Sequence, residues 1–202
     1  MKIAVIGAGN VGATLGRAWV GAGHEVVFGV RDPAASAVAA LVDDLGTAAA
    51  VAPPATAVTN VDVVVLAVPG GSIADVVTPL ADMLAGTIVI NTTNLVGADA
   101  VSTNAAVRAA APDAIVVRAF STLGAENFAQ PVIGGLAADI LWCGPDETVE
   151  VAEELIGGIG LQPVRVTAAD AETIIDAVFH LWMDLAIRQG RGRRLAINVV
   201  SD

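Results

Sequence analysis

Short apolar runs alternate with stretches of helical spacing along most of the chain. The runs include IAVI at 3–6, VDVVVLAV at 61–68, TIVI at 87–90 and AIVVR at 114–118. Nearly continuous apolar runs of this length are typical of strands that are buried on both faces of a parallel sheet. Strands that alternate with helices predict an α/β fold of the Rossmann type, with a doubly wound parallel sheet.

The same alternation continues on a smaller scale toward the C-terminus. A strand at 139–143, a helix at 146–156 and a strand at 162–166 are predicted there. A long helix over 168–189 follows, because its apolar residues recur at helical spacing. We therefore divide the chain into a Rossmann domain, residues 1–130, and a small C-terminal α/β extension, residues 131–202, for substrate binding and dimerisation.

The first apolar run leads directly into a glycine-rich turn. The stretch KIAVIGAGNVG places Gly7, Gly9 and Gly12 in the order GxGxxG, and helical spacing follows. Gly7 allows a sharp turn, Gly9 lets a pyrophosphate approach the backbone, and Gly12 lets the helix pack closely on the strand. The N–H groups at the helix start then face the anion. The turn predicts a dinucleotide site; the alternative is an ordinary tight turn.

The end of the second predicted strand, HEVVFGV at 24–30, bears on the choice between NAD and NADP. NAD sites carry an acid there that holds the adenosine ribose, whereas this strand ends in Gly29-Val30-Arg31-Asp32. A guanidinium pairs well with a ribose phosphate, and Gly29 leaves no competing carboxylate. We therefore expect Arg31 to select NADP. The alternatives are a solvated Arg31 and an Asp32 that serves a ribose hydroxyl.

Two loops follow central strands of the predicted sheet. They read Pro69-Gly70-Gly71-Ser72 and Asn91-Thr92-Thr93-Asn94. Open α/β sheets bind ligands at the carboxyl ends of their strands, so both loops are expected to border the cofactor. A plain connection after the first strand, or turn formation and helix capping after the second, would explain the same residues. A helix is predicted over 73–84, with Ser72 as its N-cap.

Composition and charge exclude several kinds of partner. The formal net charge is -11, which argues against binding to nucleic acid or to anionic membranes. No apolar stretch reaches the roughly 18 residues that a membrane span needs. Met1-Lys2 leads directly into a strand and leaves no room for a signal peptide, so we expect a cytoplasmic protein. Cys143 is the only cysteine, and we expect no metal site.

Two residue types that serve as proton donors in reductases are scarce. The chain has no tyrosine, and Lys2 is its only lysine. A Tyr-Lys pair or a catalytic lysine in the second domain is therefore excluded. Arginines cluster near the C-terminus, where they either attract an acidic coenzyme tail or stabilise a helix end. They are Arg188, Arg191, Arg193 and Arg194.

Together these pieces resemble the family of NADP oxidoreductases that depend on the deazaflavin coenzyme F420. The resemblance covers nearly the whole chain and is most specific in VVRAFSTLGAENF. The other matching pieces are IAVIGAGNVG, the turn at Arg31, LAVPGGSI, NTTN and a C-terminal helix with Leu181-Trp182 that runs into Gln189-Gly190-Arg191-Gly192.

The resemblance implies direct hydride transfer between NADP(H) and F420 or a flavin-like acceptor, with NADP and coenzyme F420 as the cofactors. Such transfer depends on positioning and a dry pocket more than on a proton donor. The resemblance also implies the site residues, position by position. NADP should be held by Gly7, Gly9, Asn10, Val11, Gly12 and Arg31, and its nicotinamide should be flanked by Val68 and Pro69. The hydride-transfer cleft should be lined by the catalytic residues Ser121, Thr122 and Leu123.

The sequence departs from the family pattern near the second substrate. Thr167-Ala168-Ala169 and Glu172-Thr173 replace a Gly-Pro-Leu segment and an Ala-Arg pair, Ser121 replaces Asn, and Asn91 replaces Asp. We expect the segment 167–173 to face Ser121 across the same cleft. The residues that should bind NADP match the family, so the resemblance implies NADP binding. It does not extend to deazaflavin binding, because the segment for the second substrate is altered.

Two other functions fit the same pattern. One is the reduction of an imine or carbonyl substrate, with His180 or Asp176 on the last helix as proton donor. The other is a non-catalytic NADP-binding sensor whose substrate cleft is closed. The apolar face of the last helix also predicts a homodimer.

Overall fold

Six parallel strands form the central sheet of the protein, in a computed structural model that describes residues 1–200. Their order is β3-β2-β1-β4-β5-β6, the arrangement of the Rossmann fold. The strands are β1 Lys2–Ile6, β2 Glu25–Gly29, β3 Ala49–Ala52, β4 Val63–Leu66, β5 Ile88–Asn91 and β6 Ile115–Arg118. The predicted doubly wound α/β fold is therefore confirmed.

Helices cover both faces of this sheet. They are α1 Asn10–Gly21, α2 Ser36–Leu45, α3 Pro54–Ala57, α4 Ile73–Val77, α5 Ala81–Leu84, α6 Asn104–Ala110, α7 Glu126–Ala129, α8 Val149–Gly157 and α9 Ala171–Met183. Successive side chains of a strand point to opposite faces. Accordingly, Ile3 and Val5 enter one hydrophobic cluster, whereas Ala4 and Ile6 enter a second one.

The C-terminal region contains two small sheets that are separate from the central one. It contains the hairpin β7 Val132–Ile133 and β8 Leu136–Ala137 and the parallel pair β9 Asp139–Trp142 and β10 Gln162–Arg165. An antiparallel bridge between Cys143 and Arg118 places the end of β9 beside the end of β6. The chain that leaves β9 or β10 therefore runs toward the amino ends of the main strands.

One hydrophobic cluster joins the two predicted domains. Trp19 of α1 is fully buried in it together with Trp142 of β9, and the indole Nε1 of Trp19 donates a hydrogen bond to the carbonyl oxygen of Leu155 at 2.9 Å. The division between residues 130 and 131 stays a prediction. The two parts share a core, so the apolar contacts do not separate at that border.

Two predicted helices differ from the observed ones. The helix predicted over 73–84 is divided by a 3-10 turn, Thr78–Leu80, because Pro79 lacks an N–H and its ring collides with the preceding turn. Ser72 makes no side-chain capping bond to α4. The last helix begins later than predicted, at Ala171, and continues after Met183 as a π-helical turn, Asp184–Arg188. Within residues 1–200, no helix combines the length and apolar character that crossing a membrane requires.

Candidate functional site

The glycine turn joins β1 to α1 at the carboxyl edge of the sheet. Gly7 has a φ of +104°, which favours glycine, and its N–H donates to the carbonyl oxygen of Gly29 at 2.9 Å. A Cβ on Gly7 would lie 2.5 Å from the carbonyl oxygen of Ala67. The turn is therefore held between β2 and the loop that follows β4.

The other two glycines of the motif have different surroundings. A Cβ on Gly12 would lie 2.0 Å from the carbonyl oxygen of Gly7, so this glycine permits the helix to pack on the turn. A Cβ on Gly9 would meet no atom within 4 Å. Gly9 is the N-cap of α1 and offers no side chain to the first N–H groups of the helix. An anion can therefore approach those N–H groups directly.

Arg31 lies exposed on the turn after β2, and within residues 1–200 its side chain has no hydrogen-bond or ion-pair partner. Oδ1 of the neighbouring Asp32 accepts the N–H of Ala34 at 3.1 Å and so stabilises the turn. A Cβ on Gly29 would lie 2.5 Å from Cδ1 of Ile6. Packing therefore requires a glycine here, and the role of Gly29 in selecting NADP stays a prediction.

The loop after β4 contacts both the glycine turn and the loop after β5. Cγ1 of Val68 would lie 3.1 Å from a Cβ on Gly7. Farther along, a Cβ on Gly70 would lie 2.6 Å from the carbonyl oxygen of Asn94. Val68 and Pro69 therefore lie between the glycine turn and Asn94, and Gly70 permits this close approach.

Most of the polar residues after β5 are structural. Asn91, Thr92 and Thr93 are all buried. The amide Nδ2 of Asn91 donates to Oγ1 of Thr103 at 2.8 Å, and Oγ1 of Thr92 donates to the carbonyl oxygen of Leu66 at 2.8 Å. The loop was expected either to contact a ligand or to form a turn and a helix cap. These three residues stabilise the loop itself.

The loop after β6 begins with a residue in the left-handed region. Phe120 has a φ of +56° and places its ring between Trp19 and Phe128, with ring centroids 5.6 and 5.7 Å away. Strained residues of this kind are common at functional sites. The next two residues, Ser121 and Thr122, carry buried hydroxyls for which residues 1–200 provide no hydrogen-bond partner. Buried hydroxyls without partners are rare, so they favour a ligand at this loop.

The contacts of Asp176 and His180 on α9 do not favour either residue as the proton donor to a substrate. Oδ2 of Asp176 accepts the N–H groups of Val101 and Ser102, each at 2.8 Å, and its other oxygen lies 3.3 Å from Nη2 of Arg118. This carboxylate is therefore an acceptor in a buried ion pair. His180 is exposed, and its Nε2 lies 3.1 Å from the carbonyl oxygen of Asp99.

The altered segment 167–173 does not lie where we expected it. It follows β10, which runs toward the amino ends of the main strands, and it lines a cavity of about 880 Å³ together with Pro112 and Ile115 before β6 and at its start. Ser121 follows the opposite end of β6. Ser121 does not line this cavity, and the segment reaches the carboxyl edge at Glu172, which accepts from Ser102 and Asn104. The expected contact between the segment and Ser121 is therefore not observed within one chain.

Three of the C-terminal arginines are bound within the chain. Nε of Arg193 donates to Glu126 at 2.7 Å, and this bond lowers the pKa of the Glu126 carboxyl. Arg194 donates to the carbonyl oxygen of Val132 at 3.1 Å, and Arg188 lies 3.7 Å from Asp184. Their primary role is structural, which weakens the idea that they attract an acidic coenzyme.

The match to known sequences covers the nucleotide-binding half. The model of the family "NADP oxidoreductase coenzyme F420-dependent" matches residues 2–95. Over these residues the chain is similar to this family. The resemblance is thus confirmed over β1 to β5, and with it an NADP-dependent oxidoreductase at the level of the family. No curated protein matches the sequence.

Solved structures share the fold over the whole chain. A protein of Arthrobacter sp. FB24, provisionally described as an F420-dependent NADP-reductase, has a TM-score of 0.84 and 24% identity over 100% of both chains. Hypothetical protein SMa0349 of Sinorhizobium meliloti has a TM-score of 0.74 and 28% identity over 100% of this chain and 96% of its own. An imine reductase of Streptomyces aurantiacus has a TM-score of 0.71 and 18% identity over 92% of this chain and 61% of its own.

The site fits the NADP of the F420-dependent oxidoreductase family. The open space at Gly9, the uncapped start of α1 and the unpaired Arg31 suit a phosphorylated dinucleotide. Individual ligand contacts of these residues stay predictions. No group of three His, Cys, Asp or Glu side chains that could hold a metal occurs in the described part of the chain.

Sequence reasoning missed Arg118 as a residue of this site. It is fully buried and binds both Asn94 and Asp176. A signal was present, because a charged residue that closes the apolar run AIVVR requires a buried partner.

Replacing Gly9 with alanine should weaken NADPH binding without unfolding the protein. The new methyl group meets no protein atom, but it occupies the space through which a phosphate approaches. We expect at least a roughly tenfold loss of affinity, or about 1.4 kcal/mol, in a fluorescence titration with NADPH.

Two variants serve as controls for Gly9→Ala. Gly21→Ala lies at the other end of α1, also in open space, and should bind NADPH normally. Gly12→Ala should lower the melting temperature, because its methyl group collides with the backbone of Gly7. Unchanged NADPH affinity in Gly9→Ala would place the dinucleotide elsewhere.

Proposed function

We propose that this protein is an NADPH-dependent oxidoreductase that transfers hydride between NADP(H) and F420 or a flavin-like acceptor. One observation carries the proposal: the carboxyl edge combines an open, uncapped glycine turn with two buried hydroxyls, at Ser121 and Thr122, for which residues 1–200 provide no partner. The family match over residues 2–95 supports the NADP half of the reaction.

Bound NADPH supplies the hydride, and the chain orients the nicotinamide and excludes water from the cleft. The turn at Gly9 holds the pyrophosphate and Arg31 holds the ribose phosphate. Val68 and Pro69 flank the nicotinamide, while Ser121, Thr122 and Leu123 line the cleft. The candidate proton donors are consistent with this role, because Asp176 is already bound to Arg118 and the chain has no tyrosine. A second substrate that needs no proton at the moment of transfer fits such a cleft.

The acceptor can be determined by following NADPH oxidation in the presence of oxidised F420, FMN, or a cyclic imine. We expect loss of the visible absorbance of F420 or reduction of the flavin. Turnover with the imine alone would instead support an imine reductase. NADPH binding without oxidation by any acceptor would support the sensor.

Selectivity for NADPH over NADH should depend on Arg31. Its guanidinium is unpaired, and a charge-assisted bond to a phosphate contributes about 1.5 to 3 kcal/mol. Arg31→Ala should therefore weaken NADPH binding by roughly 10- to 100-fold and leave NADH binding unchanged.

A matched control for Arg31→Ala is available elsewhere in the chain. Arg191→Ala removes the same charge from an exposed position and should bind both nucleotides normally. Equal losses of NADPH and NADH affinity in Arg31→Ala would contradict a role in phosphate selection.

We also propose that the protein forms a homodimer through the exposed face of α9. Ile174 and Leu181 lie seven residues apart on this helix and are 37% and 48% exposed. Val96, in the loop that α9 contacts through His180, is 67% exposed. An apolar strip of this kind favours contact with another apolar surface.

Sedimentation should therefore detect a dimer, and Leu181→Glu should convert it to a monomer by placing a charge in the interface. Val132→Glu, on the separate β7–β8 hairpin, should leave the dimer intact. A monomeric wild-type protein would exclude this interface. A cytoplasmic location stays a prediction, as does the absence of nucleic-acid and membrane partners.

A further inference from the structure

Arg118 is the buried cation of the carboxyl edge. Its side chain is fully buried at the end of β6. Nη1 donates to the carbonyl oxygen of Thr93, and Nη2 donates to Oδ1 of Asn94 at 2.6 Å and to Oδ1 of Asp176 at 3.3 Å. One guanidinium thus joins the sheet, the loop after β5 and helix α9.

Helix α9 holds that same loop through two acids one turn apart. Asp176 accepts the N–H groups of Val101 and Ser102. Glu172 accepts the Oγ hydrogen of Ser102 at 2.9 Å and an Nδ2 hydrogen of Asn104 at 3.0 Å. Burial alone would raise the pKa of Glu172, but these bonds and one from Arg108 outweigh it and lower that pKa. The altered residue Glu172 therefore holds the end of this loop, at Ser102 and Asn104.

Asn94 connects the loop after β5 to the predicted hydride-transfer loop, Ser121–Leu123. Its amide Nδ2 donates to the carbonyl oxygen of Ser121 at 2.9 Å, while its Oδ1 accepts from Arg118. Its own carbonyl oxygen is the atom that a Cβ on Gly70 would meet at 2.6 Å. The loops after β4, β5 and β6 therefore converge on this one side chain and its backbone.

We propose that Asp176, Arg118 and Asn94 form a positioning relay, in which the charge of the last helix holds the Ser121–Leu123 loop against the nicotinamide end of the cleft. The proposal rests on the proposed function, and its residues are positioning residues. A buried ion pair adds little stability over apolar packing. The planar fork of a guanidinium does, however, fix the direction of several bonds at once.

The relay acts on the nicotinamide half of NADPH and leaves the adenosine half unaffected. Arg31 and the glycine turn belong to other loops, and within residues 1–200 no hydrogen bond or ion pair joins them to Arg118 or Asp176. The ligand 2′,5′-ADP carries only the adenosine half, with its 2′-phosphate. A defect in the relay should therefore weaken the binding of NADPH but not that of 2′,5′-ADP.

Asn94→Asp is the most direct test. The new carboxylate still accepts from Arg118, so the buried cation keeps its partners and the protein should fold. The donor to the Ser121 carbonyl oxygen is lost, and a negative charge faces that oxygen instead. We expect about a tenfold weaker affinity for NADPH, an unchanged affinity for 2′,5′-ADP, and faster amide hydrogen exchange over 121–124.

Asp176→Asn tests the other end of the relay, and Asp139→Asn is its matched control. Asp139 is also a buried carboxylate that accepts a backbone N–H, from Val199, but it lies in β9 outside the relay. Asp176→Asn should lower both stability and NADPH affinity, whereas Asp139→Asn should lower stability alone. In the double variant Asn94→Asp/Asp176→Asn, the carboxylate beside Arg118 should restore part of the stability but not the NADPH affinity.

These measurements separate the relay from the proposed function. Hydrogen exchange requires no cofactor, so unchanged exchange over 121–124 in Asn94→Asp would overturn the relay even in a protein that binds no NADPH. Equal losses of NADPH and 2′,5′-ADP affinity would also overturn it, since they indicate general damage. If Asn94→Asp does not fold, Asn94→Ala removes the same donor without adding a charge and is measured in the same way. Absence of NADPH binding by the wild-type protein would contradict the proposed function alone.

Discussion

The burial of one positive charge determines how the carboxyl edge of this sheet is arranged. A guanidinium without access to water requires acceptors around it, and burial lowers the pKa of Arg118 while Asp176 opposes that effect. The acceptors come from the loop after β5 and from α9, which are far apart in the sequence. Satisfying the charge therefore brings the last helix to the same edge as the glycine turn.

Local features of the sequence were sufficient to predict the nucleotide-binding half. The turn at Gly7 and Gly12 follows from adjacent residues, and the strands follow from uninterrupted apolar runs. The division of the helix at Pro79 was equally local and could have been predicted from the missing N–H. The Arg118–Asp176 pair was not predictable in this way, because 58 residues separate the partners. No periodicity connects positions at that distance.

The direction of a strand is likewise not predictable from local patterns, as the position of segment 167–173 shows. Alternating strands and helices predict parallel neighbours, and continuing that pattern would carry each new loop to the carboxyl edge. The single bridge between Cys143 and Arg118 reverses the direction of β9, and β10 follows it because the two pair in parallel. Two backbone hydrogen bonds, from Arg118 N–H to the Cys143 carbonyl at 2.8 Å and back at 3.0 Å, thus decide on which edge a long segment lies.

This reversal has a consequence for the second substrate. If segment 167–173 of the same chain does not close the cleft, the surface opposite Ser121 must come from the exposed loop after Asn94 or from another molecule. Leu95 and Val96 in that loop are exposed and apolar, and the same loop contacts α9 where Nε2 of His180 lies beside the carbonyl oxygen of Asp99. A second copy that covers this loop would exclude water from one side of the cleft, which hydride transfer requires. Dimer formation and completion of the active site would then depend on the same apolar surface.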